Sequence, residues 1–302
     1  MTSALSPVVV FAYARADHLR RTVESLQCNS LASETDVVFY CDAAKRPEHQ
    51  SGVEAVRTYV QAVEGFRSVR CILRRDNMGL ARSVVDGVTQ TVRERGRVIV
   101  LEDDLVLSPH FLRYMNDALE RYAEEPRVAS IHGYSYPTGE TLPPTFFLRG
   151  ADCWGWATWS RAWSHFDADG SRLLRQLKSR RLTHHFDFGS TYPFTSMLED
   201  QIKGRNSSWA ILWHASCYLQ NLLTLYPGRS LVENIGNDAA ATHGGHGAGW
   251  ACPPTQEAVP VDPITLEASE PAWQAFRRFF ERQNDLKDRF RLSLRRLARS
   301  WT

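Results

Sequence analysis

Two hydrophobic periods alternate along the first 125 residues. Residues 7–13, PVVVFAY, form an unbroken apolar run, the pattern of a strand covered on both faces. Residues 16–27, ADHLRRTVESLQ, then place their apolar positions at helical spacing. The alternation continues. DVVFYCD (36–42) predicts a second strand, 49–64 a helix, SVRCILR (68–74) a third strand and 79–95 a helix. RVIVLED (97–103) predicts a fourth strand, and 109–125 a helix with Pro109 near its first turn. This order predicts an α/β fold with a mostly parallel, doubly wound central sheet and flanking helices.

The second half is less regular. VASIHGYSY (128–136) and TFFLRG (145–150) read as strands, and ADCWGWATWSRAW (151–163) is dense in tryptophan. Residues 171–181 form a basic helix, and 196–220 are mainly helical with a break expected at Gly204. Residues 274–302 carry nine Lys/Arg against three Asp/Glu, with an intermittent apolar stripe of Phe276, Phe279, Phe280, Leu286, Phe290, Leu294 and Leu297. A basic amphipathic helix of this kind can lie on an anionic membrane surface. Its stripe can equally pack on the domain or on a second copy of the chain.

Composition narrows the class. At 302 residues, 43% hydrophobic and 23% charged, the chain suits one large α/β domain or two small ones. A net charge of +2 predicts no nucleic-acid partner. The six cysteines contain no C-x-x-C pair, which argues against a zinc cluster and suits a reducing compartment. The segment MTSALSPVVV lacks the basic start and long apolar core of a signal peptide. No stretch reaches the ~20 apolar residues needed to cross a bilayer. The expected location is cytoplasmic, with the basic tail able to hold the protein at the inner face of the membrane. The Asn206-Ser207-Ser208 sequon is accidental in that setting.

Open parallel sheets bind ligands at the carboxyl ends of their strands. Here those ends carry Arg15, Asp42, Asp76-Asn77 and Glu102-Asp103-Asp104. Side chains alternate along a strand, so Glu102 and Asp104 should share one face and Asp103 the other. Three clustered carboxylates repel unless a cation or donor groups intervene, and hard ions such as Mg²⁺ or Mn²⁺ prefer carboxylate and phosphate oxygens. Gly79 allows close backbone approach at the next helix start, where Arg82 could reach a phosphate.

The order VVVFAYARADHLRRTVESL, FYCDAAK, DNMGLARSVVDGV, VIVLEDDLVLSPHFLRYM resembles glycosyltransferases of the GT-A fold, a Rossmann-like nucleotide-diphospho-sugar transferase fold. It looks like glycosyltransferase family 2. It is also similar to the N-acetylglucosaminyltransferase I type, whose acidic triplet is followed by a proline-led helix and a Gly-Trp element, here Gly155-Trp156. The resemblance spans roughly residues 7–243. It implies a metal-dependent, inverting transfer of a hexosyl or N-acetylhexosaminyl group from a nucleotide-diphosphate sugar to a glycan or lipid-linked acceptor, as in surface-polysaccharide assembly. It implies that Tyr13 and Arg15 hold the nucleotide and that Asp42 faces the nucleobase. Asn77, Gly79 and Arg82 would line the cleft, and Glu102 and Asp103 would contact ribose and sugar. Asp104 would bind Mn²⁺ or Mg²⁺, although E-D-D in place of a plain D-x-D leaves the direct ligand open among the three. His243, in the Gly-rich segment ATHGGHGAG, would complete the metal or diphosphate contact. Asp200 of the Glu199-Asp200 pair would be the base that deprotonates the acceptor, and Trp156 would lie near the sugar. The expected division is 1–262 as the transferase domain (1–125 for the nucleotide sugar, 126–262 for the acceptor) and 263–302 as a basic helical tail.

Other classes fit less well. A nucleotidyltransferase should carry a Gly-rich basic loop after the first strand, but FAYARADHLRR has no glycine. A paired-carboxylate glycoside hydrolase would not need the nucleotide-like cleft. A non-catalytic sugar-nucleotide-binding module would keep that cleft and lack the base.

Overall fold

Strand β1 (Val8–Ala12) is buried along its whole length, as its unbroken apolar run requires. A computed structural model of the chain describes residues 5–236 and 248–299, with side chains through residue 285. After β1 come α1 (Ala16–Gln27), β2 (Asp36–Cys41), α2 (Gln50–Gln61), β3 (Ser68–Leu73), α3 (Leu80–Arg95) and β4 (Arg97–Glu102). Both β2 and β4 pair with β1 in parallel, and β3 pairs with β2 in parallel. The carboxyl ends of four strands therefore lie along one edge, with β4 next to β1.

The acidic triplet leads from β4 into a short strand, β5 (Leu105–Leu107), and then α4 (Phe111–Arg121). The chain continues through β6 (Val128–His132), β7 (Thr145–Arg149), β8 (Trp156–Trp159), α5 (Ser160–Trp163), α6 (Gly170–Ser179), α7 (Thr183–Phe186) and α8 (Phe194–Ile202). It ends with α9 (Trp209–Leu219), β9 (Leu223–Pro227), β10 (Val232–Asn234) and α10 (Glu270–Arg299). The central sheet has the order β3-β2-β1-β4-β8-β6-β9-β7, mixed but mostly parallel. Strand β8 runs antiparallel between β4 and β6, with Trp156 opposite Val100. Its first residue thus sits near the carboxyl end of β4.

The tryptophan-rich stretch becomes this buried strand. Trp156 is wholly buried and stacks on Trp209 at 5.4 Å, beside Trp213 and Trp163. Each large aromatic buries roughly 150–250 Å², so the cluster is core packing between β8 and α9. Helix α9 is buried on nearly every side, which explains its lack of a polar face. The expected break falls between α8 and α9, where Gly204 takes a φ of +68°.

The first part of the basic tail belongs to the fold. Ala272, Ala275, Phe276, Phe279 and Phe280 of α10 are buried in a second hydrophobic cluster with β7, α6, α8 and α9. Arg278 pairs with Glu140 at 2.6 Å, and Arg282 donates to the Thr138 carbonyl at 2.6 Å. These contacts fix the rotation of the helix. Leu286, Phe290, Leu294 and Leu297 lie outside the residues whose side chains are described. Among the described residues no helix is long and apolar enough to cross a membrane.

Candidate active site

Glu102 ends β4, and Asp103 and Asp104 form the turn that leads into β5, so a turn and not strand alternation sets their directions. Glu102 and Asp104 line a cavity of about 610 Å³, within the usual size of a small-ligand site. Asp103 does not line it. Its carboxylate accepts from Arg15 Nη2 at 2.6 Å and from the Tyr13 backbone N–H at 3.2 Å. Arg15 also donates to Asp104 Oδ2 at 2.7 Å. One guanidinium, from the end of β1, thus spans two carboxylates from the end of β4. Burial works against the charge on Arg15, yet Asp103 and Asp104 hold its pKa above the ordinary value. Burial, reinforced by Asp104 and Asp103, pushes the Glu102 pKa above the ordinary carboxylate range.

Among the described residues, Asp104 Oδ1 is buried without a hydrogen-bond partner. Such atoms are rare and call for an explanation. The antiparallel pair β5–β10 brings the next segment over it, with the Ile235 N–H donating to the Asp104 carbonyl at 2.9 Å. Gly236 then packs so closely that a Cβ there would land on Asp104 Oδ2 and crowd Arg15.

Asp152 also lines the cavity. Its Oδ2 accepts from the hydroxyls of Tyr136 and Tyr226, each at 3.0 Å. Burial and Asp152 itself hold both phenols well above their ordinary pKa, so they remain donors. His132, also in the wall, accepts from the Trp154 N–H at 3.1 Å through Nε2. Burial lowers its pKa to about 4, against the opposing pull of Asp152. It is therefore neutral at pH 7.

A family model described as glycosyl transferase family 2 matches residues 8–191. The chain belongs to that family. Curated protein sequences give no match. Among solved structures, a mannosyltransferase from Pyrobaculum calidifontis in complex with GDP-Man and Mn²⁺ is 11% identical, over 71% of this chain and 70% of that one, with a TM-score of 0.40. Residues 1–349 of S. aureus TarS are also 11% identical, over 76% of this chain and 60% of theirs, with a TM-score of 0.43. A UDP-glucose pyrophosphorylase complexed with UDP-glucose is 8% identical, over 74% and 90% of the two chains, with a TM-score of 0.36.

In this family 2 glycosyltransferase the expected site residues fall into three groups. Arg15, Glu102 and Asp104 meet at the cavity, with Asp103 behind them. Tyr13, Asp42, Asn77 and Gly79 form a neighbouring knot that does not line it. The Asp42 carboxylate accepts from the backbone N–H groups of Ala43, Met78 and Gly79 at 3.0, 2.9 and 2.8 Å. Asp42 thus organises the loop before α3. Asn77 donates to the Ala43 carbonyl at 2.7 Å, and the Tyr13 hydroxyl meets His49 Nδ1 at 2.7 Å. Gly79, at φ +73°, caps α3, and Leu80 beside it reaches the cavity wall.

The third group is elsewhere. Arg82 is solvent-exposed and absent from the cavity wall. Trp156 is not beside the sugar site: the pairing of β8 with β4 drives it into the core, and Trp154 lines the cavity instead. Gly155-Trp156 therefore adds no site residue to the resemblance with the N-acetylglucosaminyltransferase I type. Asp200 does not line the cavity either; it is half-exposed and ion-paired with Arg205, while α8 presents Phe194 and Met197 inward. Its partner Glu199 pairs with Lys178 at 2.8 Å. His243 lies outside the described residues.

Asp152 escaped the sequence reading. Its signal is a carboxylate just before the Gly-Trp element, ahead of an antiparallel strand. Residues preceding an antiparallel strand lie at the same edge.

Proposed function

We propose that this enzyme transfers a hexosyl or N-acetylhexosaminyl group, with inversion, from a nucleotide-diphosphate sugar bound at Arg15, Glu102 and Asp104, with Asp152 as the base. The observation that carries this reading is one cavity lined both by Asp104, whose Oδ1 has no partner among the described residues, and by a tyrosine-held carboxylate.

The donor set fits a divalent cation. Mg²⁺ and Mn²⁺ sites commonly use one or two carboxylates and leave remaining positions to phosphate and water. Asp104 would hold the ion through Oδ1, and Glu102 and His243 are further candidates for its surroundings. The ion would supply Lewis-acid stabilisation of the departing diphosphate.

The chain's own residues do the rest. Arg15 offers fixed positive charge where the diphosphate develops negative charge. Glu102 lines the cavity beside Asp104, where its carboxyl can meet a hydroxyl of the sugar or ribose. The Asp42 knot sets the loop and the start of α3, where backbone N–H groups favour anions. Asp152, oriented by two phenols on one oxygen, can accept the acceptor hydroxyl's proton on the other. A location at the cytoplasmic face and a role in surface-polysaccharide assembly fit the basic α10.

The test has two arms. Calorimetry of UDP and GDP with Mn²⁺ should show binding that Asp104→Asn removes. With a transferring donor–acceptor pair, Asp152→Asn should lower kcat by about 10²–10⁴-fold, the usual worth of a general base, and Asp200→Asn should leave it unchanged. The reverse result would return the base to Asp200, and product NMR showing a retained anomer would remove the inverting mechanism.

A further inference from the structure

The donor chemistry accounts for part of the cavity wall only. Another part, the aromatic side, is lined by rings from well-separated segments: Trp154 before β8 and Tyr192 before α8 are half-buried, and the buried Tyr134, Trp250 and Phe280 back them. They hold one another edge-on or tilted, with Tyr134–Trp154 at 4.7 Å, Tyr192–Phe280 at 4.6 Å and Trp250–Phe280 at 5.8 Å between centroids. Beside these rings α10 presents two amides, Gln283 and Asn284. They stand three and four residues beyond Phe280, one turn along the same face. Asn284 Nδ2 donates to the Thr191 carbonyl at 2.7 Å, which fixes its side chain at the cavity wall. The two α10 arginines that reach Glu140 and Thr138 fix the helix rotation that places both amides at the cavity wall, Gln283 half-buried and Asn284 exposed at its rim.

We infer that this side is the acceptor subsite, that it takes an uncharged saccharide, and that Gln283 and Asn284 read its hydroxyls. The inference rests on the sugar-transfer reading above. Aromatic faces pack against the C–H faces of sugar rings, and amides offer both donors and acceptors to hydroxyls. Among the described residues, the Lys/Arg side chain in the cavity wall is Arg15, and it spans Asp103 and Asp104 on the donor side. A phosphate group carried among the rings would be buried without a countercharge, which is costly. The chemistry therefore selects a neutral glycan terminus over a phosphorylated sugar or a lipid diphosphate held by its anion. Both amides lie beyond the 8–191 stretch that matches the family, so acceptor choice is written in a part of the chain outside that match.

The full chain is tested by saturation-transfer NMR against neutral oligosaccharides and their phosphorylated counterparts, with farnesyl diphosphate as the lipid-diphosphate probe. In parallel, calorimetry follows UDP and GDP with Mn²⁺. Neutral saccharides should bind in preference, and Gln283→Ala/Asn284→Ala should weaken them about tenfold, the worth of two modest hydrogen bonds. The double variant, which loses the Asn284–Thr191 hydrogen bond, should melt within a few degrees of the parent, and Gln283→Glu, which retains the side-chain shape and leaves that bond in place, should weaken the same ligands. Equal saccharide binding by parent and variants, preference for the phosphorylated probes, or no saccharide binding overturns the inference. If nucleotide binding is intact in those cases, only the acceptor assignment falls. Failure of UDP and GDP to bind the parent removes the sugar-transfer reading itself.

Discussion

Acidification should destabilise this protein through His132, and the amount follows from its surroundings. The ring is 1% exposed, and burial lowers its pKa from 6.5 to about 4. A group whose pKa is lower in the folded state favours unfolding once the unfolded chain begins to take up the proton. Above pH 6.5 neither state is protonated at His132, and the residue imposes no penalty. Between there and pH 4 the penalty grows by about 1.4 kcal/mol per pH unit, giving roughly 2 kcal/mol at pH 5 and about 3 kcal/mol at the plateau. That is a large share of the ~5–15 kcal/mol typical of a folded domain. Urea denaturation of the parent and of His132→Asn between about pH 7 and 4.5 measures it. The variant should be less stable at pH 7, because the Trp154 N–H loses its acceptor, but its stability should fall less steeply with acid. His214, whose pKa burial also lowers, contributes equally to both slopes and cancels. Parallel stability curves for the two proteins would refute the reasoning.

Three further outcomes are expected. Gly236→Ala should weaken UDP or GDP binding with Mn²⁺ more than tenfold by calorimetry, because its Cβ would displace Asp104 and Arg15; unchanged affinity would mean that Asp104 does not hold the ion. Trp156→Ala should cost about 3–5 kcal/mol in urea unfolding, the range for truncating a buried aromatic, whereas a residue that merely touches sugar would leave stability intact. Asp42→Ala should leave three backbone N–H groups without their acceptor and cost roughly 1–3 kcal/mol. Faster amide exchange at Met78 and Gly79 should accompany that loss, and unaltered exchange would count against a loop-organising role.

The first half of the chain was legible because each element there obeys a single local period. The apolar runs at 8–12 and 98–101 are buried as strands. Three features were not legible, each for a non-local reason. Trp156 is buried because β8 inserts between β4 and β6, a pairing that no run of nearby residues encodes. Asp42 contacts backbone 36 and 37 residues away, so it organises a loop that its own strand does not reveal. Asp200 sits one turn from Met197 on α8, yet only Met197 meets the cavity; the pairing with Arg205 follows from the turn at Gly204. The tail's stripe was visible, but not that Phe276, Phe279 and Phe280 would complete the core on which the amides stand.

The wall supplied by α10 sets an order of events during synthesis. Arg15 and Asp104 leave the ribosome early, whereas Gln283 and Asn284 emerge some 180 residues after Asp104. At about 5–20 residues per second that interval is on the order of ten seconds or longer. A growing chain can therefore finish its nucleotide end while the wall supplied by α10 is still missing. A stalled or shortened product would leave Trp250 and Tyr192 without Phe280 beside them, and a quality-control factor that recognises bare aromatic surface would see an unfinished enzyme.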